Sequence, residues 1–329
     1  MKRVGLTYDL KTDYEFKEND PPDANAEFDH PSTIDVIAKA IESQGYKVKR
    51  IGNVFHLIEN LDHLGVDIVF NISEGISGRN RESQVPILLE MRDIPFVGAD
   101  ALTLSLTLDK VMAKKIFIAE GIPTPKFFEA KNTAALTNTD HLKFPLIVKP
   151  RFEGSSKGLS EASRVENMEE LKKQVEYTTT TYKQPALIEE FIRGEEFTVA
   201  ILGNDPPEVL PLVQIKIDGR FKLNDKFYTF ARITSDRLEY VSPAHISQDL
   251  KKKISELALK TYNAVECLDF GRVDFRVDQE GGPYVLEINP LPSLSTEDVF
   301  MVVAKGIGIS YEEMIGKILN SALKRYNLN

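Results

Sequence analysis

The sequence predicts an α/β fold, and three observations carry that prediction. Strand and helix signals alternate through the first hundred residues, as in a parallel sheet covered by helices. A second unit begins near Leu102 and repeats the pattern around a glycine-rich connection. The remainder is α+β and contains a two-stranded ribbon at Gly271–Asn289, where apolar and polar residues alternate on both sides of a Gly-containing turn.

Arg3–Tyr8, Tyr46–Ile51, Val66–Ile72 and Pro95–Gly98 read as strands. Ser32–Gln44 reads as a helix with Ile34, Ile37, Ala38 and Ile41 on one face, and Gln84–Met91 as another. The connection Asp9–His30 is long and acidic, a length usually reserved for functional or disordered loops. Asp109–Glu120 is helical and stops at Gly121 with Pro123 beyond it. Phe144–Lys149 is a strand, Pro150–Ser160 a loop, Val165–Val175 a helix, and Ala186–Glu190 and Phe197–Leu202 strands joined through Gly194. Leu210–Ile217 is a further strand and Gln248–Ala264 an amphipathic helix. Gly219–Tyr240, basic and aromatic, reads as a surface loop able to fold over a ligand.

With 329 residues, 42% hydrophobic and 28% charged, the chain has the makeup of two or three globular domains. A net charge of −9 disfavours nucleic-acid and membrane-surface partners, which select basic faces. The single Cys267 excludes an intrachain disulfide framework and a cysteine-rich zinc site. No apolar signal segment or membrane-span-length run is present, so a cytoplasmic location is expected.

Four segments carry candidate chemistry. With Glu280-Gly281 as a two-residue turn, Asp274 falls opposite Glu287 and Arg272 opposite Asn289. Directly opposed side chains lie ~4.5–5.5 Å apart. Two like charges at ~5 Å with an effective dielectric of ~20 repel by about 3 kcal/mol. Such a pair favours a cation between its members, and oxygen donors suit Mg²⁺; the other reading is a polar ribbon face turned to water. Arg272 could reach a phosphoryl oxygen or oxyanion, or form a salt bridge with a neighbouring carboxylate. The Glu153–Ser160 loop, EGSSKGLS, offers backbone N–H groups to phosphate oxygens, with Lys149 and Lys157 supplying charge. It lacks the GxxxxGK[ST] pattern of a P-loop, and most Gly/Ser loops are plain connections. Lys110 could reach a phosphate or simply be solvated. The turn at Glu189–Glu196 could hold an adenine amino group and ribose hydroxyls, or be an ordinary charged turn.

Taken in order, LTLDKVMAKKIFIAEGIPTP, FPLIVKPRFEGSSKGLS, IEEFIRGEEFTVAIL and GRVDFRVDQEGGPYVLEINPLPS resemble the ATP-grasp superfamily and, within it, the D-alanine–D-alanine ligase family. The resemblance covers essentially the whole chain and is weakest before Val69. It implies three α/β domains: an N-terminal parallel-sheet domain at 1–101, a central lid at 102–192, and a C-terminal domain at 193–329 with the metal and substrate site. It implies ATP contacts at Lys110, Lys149, Glu153, Gly154, Ser155, Ser156, Lys157, Glu189, Glu190, Ile192, Glu196 and Arg232. It implies metal ligands at Asp274, Glu287 and Asn289 for two Mg²⁺ ions (Mn²⁺ would suit the same donors), and catalytic roles for Arg272 and Ser155. The implied reaction forms an acyl phosphate and ADP, after which an amine attacks the activated carbonyl. The resemblance also makes small amino-acid or amine substrates and a homodimer the expected partners.

The departures gather where substrates should sit. The family's His-Gly pair is Glu74-Gly75 here, and its ammonium-gripping glutamate has Glu27 as a loose match. Its Lys-Tyr pair is Arg232-Ile233, which leaves the hydrogen-bonded set around Ser155 incomplete. Its Pro-Gly is Pro292-Ser293, and its carboxylate-holding Ser-Leu is Asp298-Val299. Glu27, Glu74, Ser293 and Asp298 are therefore the candidate substrate residues. An aspartate suits an ammonium rather than a carboxylate, so altered substrates are expected. The alternatives are an authentic D-alanine–D-alanine ligase of cell-wall synthesis, a phosphotransferase on the same scaffold, and a nucleotide-binding module without turnover.

Overall fold

The computed structural model describes residues 2–328 except 139, 140, 234 and 236, together with all but two of their side chains, those of Asn138 and Ile233. Three sheets follow one another along the chain. The first is parallel, in the order Lys47–Gly52, Arg3–Thr7, Ile68–Asn71, Phe96–Val97. Its central strands are buried on both faces, as expected of strands covered by helices. The second is antiparallel, in the order Phe127–Ala130, Ala186–Glu190, Leu146–Pro150, Arg164–Val165. The third runs Leu238–Val241, Val213–Ile217, Gly194–Leu202, Phe270–Asp278, Pro283–Asn289, all antiparallel. With its helices this is the three-part α/β architecture of the ATP-grasp fold.

The helix Pro31–Ser43 buries Ile34, Ile37, Ala38 and Ile41, the face its periodicity predicts. They share one core with the final helix Tyr311–Arg325 and with Phe270 and Phe300, so the chain's last segment closes onto its first sheet. A second core lies beneath the third sheet, where Val273, Phe275, Val277, Val285 and Ile288 meet Ile254, Ala258 and Tyr262 of the helix Gln248–Ala264. Among the described residues no helix is long and apolar enough to cross a membrane.

Several expectations need correction. The helix expected at Val165–Val175 is Met168–Thr181, because Asn167 accepts hydrogen bonds from the Glu169 and Glu170 amides and sets its start there. Arg164–Val165 is instead an edge strand. Gly219–Tyr240 is not all loop: it holds the short helix Phe230–Ile233 and the strand Leu238–Val241. The ribbon turn is longer than two residues, since Val277 pairs with Pro283 and Asp278 N donates to Gly282 O. A bulge at Leu286 then takes up the extra residue, so Phe275 pairs with Val285 while Asp274 still faces Glu287. Val285 is thereby buried in the core, not on the polar face where strict alternation put it.

Candidate active site

A cavity of about 390 Å³ collects residues from the second and third sheets, from the segment that follows the strand Ile68–Asn71 and from the Asp9–His30 connection. Its floor is the ribbon. Asp274 accepts from Thr198 Oγ1 (2.6 Å), Arg272 Nε (3.0 Å) and Asn289 Nδ2 (3.0 Å), and Arg272 Nη2 reaches its second oxygen at 3.0 Å. Arg272 thus forms the salt bridge that was one of its two readings, and its Nη1 lies 3.8 Å from Asp298. Glu287 pairs with Lys110 Nζ at 2.8 Å. Burial opposes ionisation of Glu287, but Lys110 and Lys149 outweigh it and hold its pKa at about 2. Burial wins at Asp274, which is raised.

Asp109 places Lys110 at the first turn of its helix: its side chain accepts from Met112 N and is clamped by Arg151 at 2.6 Å. The strand Leu146–Pro150 delivers Lys149, whose Nζ lies 2.8 Å from Glu189. Glu189, 1% exposed, is also 2.5 Å from Lys114, and these contacts are ion pairs rather than aligned hydrogen bonds. Burial would raise Glu189, but the two lysines lower it. Burial in turn lowers Lys114, whereas at Lys149 the carboxylates Glu189 and Glu287 overcome burial and raise it. Glu189 therefore braces the lysine pair Lys114 and Lys149. Glu190 accepts from Lys143 N at 2.9 Å, and Glu196 pairs with Arg276 at 3.1 Å. Burial raises Glu196 to about 7.

Gly194 opens the third sheet at φ 154°, and a Cβ there would meet Val277 O at 1.9 Å, so only glycine fits the join. In the glycine-rich loop, Ser155 and Ser156 both take positive φ, and Lys157 N closes a turn onto Gly154 O at 2.9 Å. The Asp9–His30 connection grips both ends of this loop. Glu27 accepts from Gly154 N (2.6 Å), Arg81 Nη2 (2.7 Å) and Lys157 Nζ (3.2 Å). Asp23 accepts from Gly158 N (2.8 Å) and Tyr182 OH (2.9 Å). Burial disfavours the Glu27 anion, yet Arg81 and Lys157 carry its pKa down to about 2. Glu153 accepts from Gln184 Nε2 at 2.7 Å and meets Lys157 at 2.5 Å. Ser155 is exposed, and its hydroxyl has no partner among the described residues.

The candidate substrate residues Glu27, Glu74, Ser293 and Asp298 line the cavity together with Asp29 and Glu82. Asp298 caps the helix Val299–Ile307 by accepting from Val299 N at 2.7 Å. Burial, then the neighbouring Glu82 and Glu27, push Glu74 well above the carboxylate range. Burial carries Glu82 and Asp29 to about 7.

All predicted site residues line this cavity except Arg232. Arg232 Nη1 instead donates to Phe227 O at 2.7 Å and Nη2 pairs with Glu161. The Ile233 side chain, at the position of the missing tyrosine, lies outside the described residues. Sequence reasoning missed Lys114, Arg81, Glu82, Asp23 and Arg276. Lys114 had a signal, one helical turn after Lys110; the others depend on contacts distant in the chain.

The family described as D-ala D-ala ligase C-terminus matches residues 116–320. A D-alanine–D-alanine ligase of Carboxydothermus hydrogenoformans is 37% identical, over 89% of this chain and 93% of its own length. An uncharacterised protein of Sinorhizobium fredii is 38% identical over 79% of this chain and 75% of its own. A solved D-alanine–D-alanine ligase of Bacillus anthracis complexed with ATP superposes with a TM-score of 0.77 at 24% identity, covering 99% of both chains. The chain belongs to the D-alanine–D-alanine ligase family of ATP-dependent ligases.

Proposed function

We propose that this ligase uses ATP to couple a small carboxylate substrate to an amine, with substrates altered from those its relatives are named for. The observation that carries the reading is the convergence of Lys110, Lys149, Arg272, Asp274 and Glu287 on one cavity. Lys110 and Lys149 meet phosphate charge; Glu287 aims Lys110, and Glu189 aims Lys149 and favours its charged form. Arg272 donates to the oxygen that gains charge when the amine attacks, the position where preorganised donors act most strongly. The Gly154–Gly158 backbone covers the phosphates, and closure excludes water that would hydrolyse an acyl phosphate. Glu196, with Ile192 and Glu190 nearby, faces the nucleoside.

Mg²⁺ fits the ribbon. Asp274, Glu287 and the Asn289 amide oxygen are hard donors at adjacent register positions, and Lys110 and Arg272 now balance their charge. Bound there, two ions would neutralise phosphoryl oxygens. We propose the domain division at 101/102 and 192/193; that the strands of each sheet fall within one span supports it. The resemblance supports a homodimer, and light scattering on the purified protein checks it.

The test is incubation with Mg-ATP and a panel of amino acids of both hands and simple amines, with products read by mass spectrometry. An amide product with ADP is expected. Rapid turnover of D-alanine alone would restore the authentic D-alanine–D-alanine ligase reading. A stable phosphorylated product would indicate a phosphotransferase, and ATP binding without ADP a module lacking turnover.

A further inference from the structure

The cavity carries more negative charge than its own cations balance. Lys110, Lys149, Lys157, Arg272 and Arg276 each hold a carboxylate at 3.2 Å or less. Among the described residues Glu74, Glu82 and Asp29 have no ion-pair or side-chain hydrogen-bond partner, although all three line the cavity. Glu82 is the most telling: it is only 9% exposed, has no ion-pair or side-chain hydrogen-bond partner among the described residues, and lines the cavity. Lys11 is the one lysine among the lining residues without a carboxylate partner, and it acts on Asp29. Three carboxyl groups stand against one lysine, so in their ionised forms they carry two unbalanced charges.

A single α-ammonium neutralises one of them. The attacking amine does not neutralise the other, because it must be uncharged to act as a nucleophile. Asp298 adds a fourth carboxylate, 3.8 Å from an Arg272 already bound to Asp274. We propose that Glu74, Glu82 and Asp29 form a subsite for a second ammonium group, so that one substrate is a diamino compound, either a diamino acid or a diamine. The protons held by Glu82 and Asp29 near neutral pH accord with a site waiting for a cation.

This inference rests on the ligase reading, and the experiment separates the two. Calorimetry compares 2,3-diaminopropionate, ornithine, lysine and putrescine with neutral isosteres, both enantiomers of each chiral compound being used. ADP release and mass spectrometry follow the same panel with Mg-ATP. At least one diamino compound should bind about tenfold or more tightly than its isostere. Glu82→Gln and Glu74→Gln should each weaken that compound about tenfold more than the isostere, with ATP affinity reporting that each variant is folded. Equal or tighter binding of the neutral isosteres by the wild-type protein overturns the subsite, whatever the variants do. Amide products from neutral amino acids alone would overturn the subsite and keep the ligase; diamino binding without ADP or amide would do the reverse.

Discussion

Asp274 shows how much one strand position can reveal. Alternation placed it on the same face as Arg272 and opposite Glu287, and the structure pairs it with Thr198, Arg272 and Asn289. Asp274→Ala should lower kcat by about 10³-fold, the scale of losing a preorganised stabiliser, while thermal unfolding shifts little; surviving activity would refute the metal assignment. Asp29 carries a second prediction. Its folded pKa, about 7, lies above its ordinary value of 3.8 because burial disfavours its anion. The native state then binds more protons than the unfolded one between those values, so its contribution to stability is full below pH ~4 and is lost as pH rises to ~7. Denaturant titrations from pH 4 to 8 should show that decline, and Asp29→Asn should flatten it. Residues such as Lys110 and Glu287 were legible because neighbours on one helix or strand mark them. Asp23 and Arg81 were not, since Asp23 meets Gly158 135 positions away and Arg81 meets Glu27 54 positions away.

At the level of elements, the ribbon was read correctly at its functional end and incorrectly at its turn. Alternation carries no information about an inserted residue, so the longer turn and the bulge at Leu286 were invisible, and they cancel before Asp274. The same blindness hid the edge strand Leu238–Val241, which exists only because Val213–Ile217 pairs with it. The clasp of the Asp9–His30 connection on the glycine-rich loop is likewise a product of tertiary contact. Asp23→Ala removes the acceptor of both Gly158 N and Tyr182 OH. Hydrogen bonds to a charged group contribute about 1.5–3 kcal/mol, so KM for ATP should rise about tenfold and limited proteolysis should cut sooner between Gly154 and Gly158. Unchanged cleavage would show that the clasp does not hold the loop.

Across the whole molecule, the motifs announced the architecture, but not what ties its ends together. Asp269, fully buried, accepts from Gly98 N (2.9 Å) and Asn204 Nδ2 (2.8 Å) and pairs with Arg325 (2.7 Å). One carboxylate thus joins the first sheet, the third sheet and the last helix. Asp269→Ala should cost about 3–5 kcal/mol by leaving Arg325 without its partner, seen as a lower denaturation midpoint at unchanged m-value. That junction holds together the parts around a site lined by the second and third sheets and the Asp9–His30 connection, and its chemistry is the central claim. The most direct measurement is product analysis with Mg-ATP and the amino-acid and amine panel. An amide product formed with one ADP per bond, and lost in Asp274→Ala, is the predicted result; ATP bound by the folded wild-type protein with neither ADP nor amide from any panel member would contradict it.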